Sequence, residues 1–360
     1  MIHDNAGGYP LSMATLAYNS LLLLVDTAVL TLQARRGNGK TAVGLIAGAG
    51  FASLLLAVLL GENLFGILRL LCFALFLHGP LLLGTLAAMF WKKTRAGALT
   101  CAITALLSLM VAADAFLIEP HWLQVSHVAL RSPKLRRPLR IAVIADFQTD
   151  HLGDYERSVI ERTLQEKPDL LLMAGDHLQA ASSELPTLRR ELRRLLKDLA
   201  AAVPLGVYAV RGNIDPPDWA TTFEGMNVTT FESTRSLDLA DLRLTGLGMD
   251  DSFNSNLSLP ESGRFQIVLG HSPDFSLGKV PADLLIAGHT HGGQVRLPLI
   301  GPLMTLSRIP RSWAAGVTPL DERRILVVSR GIGMERGAAP RLRFFCRPEL
   351  VVIDVTPQGP

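Results

Sequence analysis

The chain has 360 residues, 49% of them hydrophobic, and a formal net charge of only +3. That near balance, with no recognition motif beside it, argues against a nucleic-acid partner. Three cysteines, Cys72, Cys101 and Cys346, are too few and too scattered for a disulfide framework or a CxxC metal site.

The first predicted elements in chain order are apolar. A membrane helix needs about 20 mostly apolar residues, and four segments qualify: 12–32, 41–60, 64–90 and 98–118. Residues 1–120 are therefore a transmembrane region that makes the lipid bilayer a partner. Pro80 predicts a kink in the long third segment, because proline lacks the backbone donor and crowds the preceding turn. The first thirteen residues carry no Lys or Arg, and with three further spans behind them they are not expected to be a cleaved signal peptide. "GNGKT" at 37–41 opens a span instead of following a strand, and the first glycine of a phosphate-binding loop would fall on Ala34, so it is read as a connector.

Loop charges give an orientation. Arg35, Arg36 and Lys40 lie in the first loop and Lys92, Lys93 and Arg95 in the third, whereas the second, "GEN", has none. The positive-inside rule puts the first and third loops in the cytoplasm and the soluble domain beyond the fourth span outside. The cluster Arg131, Lys134, Arg136, Arg137 and Arg140 pulls the other way; the two short loops are given more weight. Within the spans, Arg69 and Asp114 fall at equal depth and are expected to pair, while Asp26 has no predicted partner.

Residues 121–137 read as a linker and first edge segment, and 138–356 as one soluble domain. Apolar runs at 139–146, 168–176 and 206–215 alternate with helical patterns at 155–166 and 185–203, which predicts parallel βαβ units. Further strand-like runs occur at 228–232, 241–247, 264–271, 282–291, 323–331 and 349–355, and this strand-dense half predicts a second sheet. Five runs end in groups able to bind a metal: Asp146, Asp176, Asn213, His271 and the pair His289/His291. Strand carboxyl ends are where α/β sheets bind ligands, and such a mixed nitrogen and oxygen donor set suits Mn, Fe or Zn better than Ca or Mg.

The ordered series "D-x-Q … GD … GN-x-D … GH … GHTHGGQ" resembles the calcineurin-like metallophosphoesterases, over about residues 138–355. "SRGIG" (329–333) and "RFFCRPELVVI" (343–353) look like the closing segment of their membrane-associated bacterial branch. The resemblance implies a two-sheet β-sandwich flanked by helices, with two divalent ions at one edge, Mn favoured. It assigns Asp146, Gln148 and His291 to one ion, Asn213, His271 and His289 to the other, and Asp176 to both. Asp176, Asn213 and His271 would be catalytic, with a metal-bridging hydroxide attacking the phosphorus. Asp215, Arg330 and His151 are candidate substrate contacts, with an ion-paired role open for Arg330 and a bland loop role for His151.

Two positions depart from the family pattern, Gln148 and Ile214, where it usually carries histidine. A glutamine oxygen still binds Mn or Fe, whereas isoleucine supplies no acid, a help worth about 10²–10⁴-fold. The expected function is a membrane-anchored phosphodiesterase acting on a lipid-linked or envelope phosphoester, multi-pass in a bacterial inner membrane with its catalytic domain extracytoplasmic. Alternatives are a cytoplasm-facing pyrophosphatase on a nucleotide-activated lipid precursor, and a catalytically weakened metal- or phosphate-binding protein.

Overall fold

The computed structural model describes residues 12–36 and 39–358. Residues 37 and 38, part of the first basic loop and of "GNGKT", lie outside the described residues, as do 1–11 and the two C-terminal positions. The chain divides into two compact units. One contains the helices up to Ile118 together with Glu335–Arg341; the other contains Glu119–Met334 and the chain from Leu342 onward.

The helical unit contains α1 (Met13–Arg36), α2 (Gly39–Leu60), α3 (Leu64–Phe73), α4 (Gly79–Phe90) and α5 (Arg95–Ala113). They make four stretches long and apolar enough to cross a membrane: Met13–Arg35, Gly39–Leu60, Leu64–Phe90 and Arg95–His121. The predicted disturbance at Pro80 takes the form of a π-helical turn, Ala74–His78, joining α3 to α4. Proline removes one helical donor, and the wider turn accommodates the loss.

Two polar expectations in this unit are corrected. Arg69 donates to the Gly337 carbonyl at 3.5 Å, and no Arg69–Asp114 ion pair occurs among the described residues. Asp26 does have a partner: its carboxylate lies 2.6 Å from His78 Nδ1, while His78 Nε2 lies 3.1 Å from Asn19 Oδ1.

The α/β unit holds two six-stranded sheets. The first runs β1 (Gln124–Ser132), β14 (Glu349–Pro357), β2 (Leu139–Ile144), β3 (Leu170–Met173), β4 (Val207–Val210) and β5 (Val228–Phe231). From β2 to β5 the strands are parallel; β14 is antiparallel to β2 and parallel to β1. The second runs β12 (Gly316–Pro319), β13 (Ile325–Val328), β9 (Leu284–Ala287), β8 (Phe265–Leu269), β7 (Leu242–Gly246) and β6 (Arg235–Leu239), parallel in its middle four strands. A small hairpin, β10 (Arg296–Leu297) and β11 (Gly301–Pro302), stands apart from both.

Side-chain alternation explains the layering. Ile141 and Val143 of β2 face the core between the sheets, in one cluster with Leu172, Ile267, Leu269, Ile286 and Ile353. Their neighbours Ala142 and Ile144 face the opposite way. That outer face is covered by α6 (Asp154–Gln165) and α7 (Leu185–Ala202). In α7 the buried Leu188, Leu192, Leu196 and Leu199 make one helical stripe, each contributing at most about 1.5–3 kcal/mol through burial. The βαβ units predicted from the first half of the domain are thus present as β2–α6–β3–α7–β4. With both faces of the sheets occupied, polar groups gather at the strand ends.

Candidate metal centre

Asp146 follows β2, Asp176 follows β3, Asn213 follows β4, His271 follows β8, and His289 and His291 follow β9. Parallel strands bring these carboxyl ends to the same side of their sheet. Asp146, Gln148, Asp176, His289 and His291 all have positive φ, between 36° and 68°. Left-handed backbone is uncommon for residues with a Cβ and persists only when neighbours enforce it.

Small residues allow that enforcement. A Cβ on Gly212 would lie 2.1 Å from Asp176 Oδ1, and one on Gly288 would lie 2.6 Å from Asp146 Oδ2. The backbone therefore passes the two carboxylates at distances only glycine permits. Asp146 accepts the His289 N–H at 3.0 Å, and Asp176 Oδ1 accepts the Ile214 N–H at 2.8 Å. At Ile214 the main chain thus grips the site although the side chain offers no proton.

His271 is the centre of the cluster. Its Nδ1 lies 2.8 Å from the Ala174 carbonyl oxygen, so this nitrogen carries a proton and donates. Its Nε2 then faces Asn213 Oδ1 at 2.9 Å and Asp176 Oδ2 at 3.3 Å. His289 completes a group with Asp176 and His271 whose ligand atoms all lie within 4.8 Å of one another. His289 Nε2 is 3.2 Å from the Leu306 carbonyl, which leaves Nδ1 as the other donor atom. His291 is buried, and its Nδ1 has no hydrogen-bond partner.

The electrostatics match a cation site. Burial pushes the Asp146 carboxyl up to about 7, with His271 opposing and Asp176 reinforcing the shift. Burial would lower His271, but the carboxylates of Asp176 and Asp146 outweigh it and lift that imidazole to about 9. Burial, with the charge of His271, brings His289 down to about 4. Burial and then Arg343 hold His291 well below the ordinary histidine value. Three acceptor atoms that converge, His271 Nε2 among them, need either a proton or a metal ion between them, and the unsatisfied nitrogen of His291 has the same need. The donor set therefore fits a divalent cation.

Gln148 is fully buried beside this cluster. Its backbone N–H donates to the Asp176 carbonyl at 2.8 Å, and its Nε2 donates to Gln179 Oε1 at 2.9 Å.

The three candidate substrate contacts differ in their surroundings. Asp215 is buried; it accepts the N–H groups of Asp176, His177 and Gly212 and lies 2.9 Å from His177 Nδ1. Its pKa is lowered, the charge of His177 and these hydrogen bonds overcoming burial. It is an anchor for two ligand loops, not an acid. Arg330 is paired with Glu349 at 3.0 Å, which makes the ion-paired alternative the observed one. His151 is exposed, and its carbonyl accepts the Thr149 hydroxyl.

Two supporting residues are absent from the sequence-based expectations. His177 stacks on Trp219 at 5.5 Å between ring centroids, and this fixes the imidazole that meets Asp215. Arg343 is fully buried and donates to the carbonyls of Arg330, Gly331, Gly333 and Cys346. The loop it braces donates the Gly333 N–H to the Asp146 carbonyl at 2.7 Å. The usable signal is a histidine directly after Asp176; Arg343, one of three arginines in "RLRFFCR" (341–347), has no signal that sets it apart.

Comparison with known proteins agrees with this geometry. The family model for calcineurin-like phosphoesterases matches residues 139–293. The chain is 28% identical over 259 residues to the uncharacterized metallophosphoesterase YkuE of Bacillus subtilis, covering 66% of this chain and 87% of that protein. It is 26% identical over 254 residues to the phosphodiesterase YaeI of Escherichia coli, covering 66% and 90%. It is 25% identical over 313 residues to the UDP-2,3-diacylglucosamine pyrophosphatase LpxG of Chlamydia trachomatis, again covering 66% and 90%. The matched stretch holds all seven residues predicted to bind metal, from Asp146 to His291, and identifies residues 139–293 as a segment of the calcineurin-like phosphoesterase family.

Proposed function

We propose that the protein is a membrane-anchored, divalent-metal-dependent phosphodiesterase acting on a lipid-linked or envelope phosphoester. The observation that carries this reading is the convergence of His271 Nε2, Asn213 Oδ1 and Asp176 Oδ2, three atoms that need a proton or a metal ion between them, beside the unpartnered buried Nδ1 of His291. Asp176, Asn213, His271 and His289 would hold one ion, and Asp146, Gln148 and His291, sharing Asp176, a second; Mn is the favoured metal. Bound there, divalent ions supply Lewis acidity toward phosphoryl oxygens and lower the pKa of water from 15.7 toward about 7.

The chain's own residues do the positioning. The Ile214 N–H fixes the Asp176 carboxylate, Asn213 holds its amide oxygen against His271, and the Asp215 anchor fixes the Asp176 backbone. His271 Nε2 gives up its proton when it becomes a ligand. No side-chain acid stands at position 214, which favours diesters or pyrophosphates with good leaving groups over monoesters. Similarity to the phosphodiesterase YaeI supports the diester assignment.

The full chain loaded with Mn is expected to hydrolyse bis(p-nitrophenyl) phosphate, and His289→Ala to abolish this. Unchanged activity in that variant would remove the assigned site.

Similarity to LpxG supports a second reading, a pyrophosphatase on a nucleotide-activated lipid precursor facing the cytoplasm. The basic first and third loops favour the extracytoplasmic side instead. An alkaline-phosphatase reporter fused after Pro360 is expected to be active. An inactive reporter paired with a fluorescent cytoplasmic one would favour the second reading.

A further inference from the structure

Large apolar side chains exposed on the α/β unit are concentrated at one place. Of the eight among its described residues, Leu299, Ile300, Leu303 and Leu306 fall within one short segment. Leu299 is 108% exposed at the tip between β10 and β11 and has a φ of 68°. Scattered single apolar residues need no explanation, but four on one protruding loop do.

The loop is seated on the metal-ligand turn. A Cβ on Gly293 would lie 2.3 Å from Pro302 Cβ, so "GHTHGG" and the hairpin touch through a glycine. Leu306 supplies the carbonyl that accepts from His289. A second segment joins at Val295, which bridges to Phe344 and is followed there by the exposed Phe345.

The exposed charge along this segment has one sign; the carboxylates that reach it, Asp274 beneath Ser307 and Arg308 and Glu119 beneath Phe345, are buried. From Leu284 to Leu320 there is no Asp or Glu, while Arg296, Arg308 and Arg311 are present. Arg311 donates to the Leu303 carbonyl at 2.7 Å, which places a guanidinium beside the apolar tip. Apolar side chains projecting from a basic surface match a bilayer interface, with hydrocarbon below and anionic phosphates around it.

We propose that the hairpin tip Leu299–Ile300, with Leu303 and Leu306, inserts into an anionic lipid bilayer, so that the metal centre takes a phosphoester whose acyl chains remain in the membrane. This deepens the assignment of a lipid-linked substrate and rests on it. A protein partner would be expected to meet a flatter patch than a tip whose leading residue is fully exposed.

The test uses the full chain with Cys72→Ser and Cys101→Ser, reconstituted in phosphatidylglycerol-containing liposomes. An environment-sensitive fluorophore is attached in turn at Leu299→Cys and at Glu322→Cys, an exposed position before β13. Lipid-borne nitroxides are expected to quench the label at 299 at least about threefold more than that at 322, with a blue-shifted emission. Equal quenching at the two positions would overturn the insertion. In a second arm, Leu299→Asp with Ile300→Asp is expected to lower turnover of a liposome-embedded lipid phosphodiester by about tenfold or more, since a charge is costly in the bilayer. Hydrolysis of bis(p-nitrophenyl) phosphate should stay unchanged, and equal loss on both substrates would overturn the delivery role. Quenching needs no turnover, so a wild-type chain inactive on every diester would defeat the enzymatic reading while leaving insertion decided by the first arm.

Discussion

At the scale of single residues, Asp215 shows why a motif and its chemistry must be separated. In sequence it stands two places after Asn213 and looks able to replace the acid absent at Ile214. Folded, its carboxylate serves three backbone N–H groups and His177. Asp215→Asn leaves one acceptor oxygen and adds donors that face other donors. It should destabilise the protein by about 1–3 kcal/mol, the usual cost of leaving buried polar groups unsatisfied. Metal retention should fall with it, because the N–H groups released belong to the Asp176 and Asn213 loops. If Asp215 were instead the acid, thermal melting and metal content would hold while turnover alone dropped. The residues proposed to bind metal, Gln148 apart, are legible in the sequence because they end apolar runs. The anchor is not, because hydrogen bonding across thirty-nine residues leaves no periodic signal.

At the scale of elements, legibility tracks periodicity. β2, β3, β4, β8, β9, β13 and β14 are apolar runs largely buried on both faces, and α6 and α7 carry helical stripes. β6 and β12, edge strands with exposed alternate residues, leave no such run because half of each faces solvent. The π-helical turn before Pro80 has a similar origin: proline announces a disturbance, while packing selects its form. The partner of Asp26 is hidden because formal charge points to Lys or Arg, whereas His78 offers a ring nitrogen. The hairpin at β10 and β11 is obscure for a related reason. Its apolar residues resemble a short buried run, and only the folded chain shows them projecting outward.

At the scale of the whole molecule, the metal centre and the fold compete for the same protons. In the metal-free protein His271 is lifted from 6.5 to about 9 by two buried carboxylates, so the folded chain holds this proton more tightly than the unfolded chain does. Its stabilising contribution is complete below about pH 6.5 and disappears as pH rises through 9. Asp146 adds nothing new above its value of about 7, and His289 and His291 are already neutral there. Between pH 7 and 9 the metal-free melting temperature should therefore fall with rising pH, as far as this site determines it. Metal binding has the opposite dependence: His271 must lose its proton to become a ligand, so removing protons from solution strengthens binding. Melting curves recorded with and without Mn across this window should diverge as pH rises, and calorimetry in buffers of different ionisation enthalpy should show proton release on loading. Parallel curves would mean that His271 does not give up its proton to a metal, and the centre built around it would have to be reassigned.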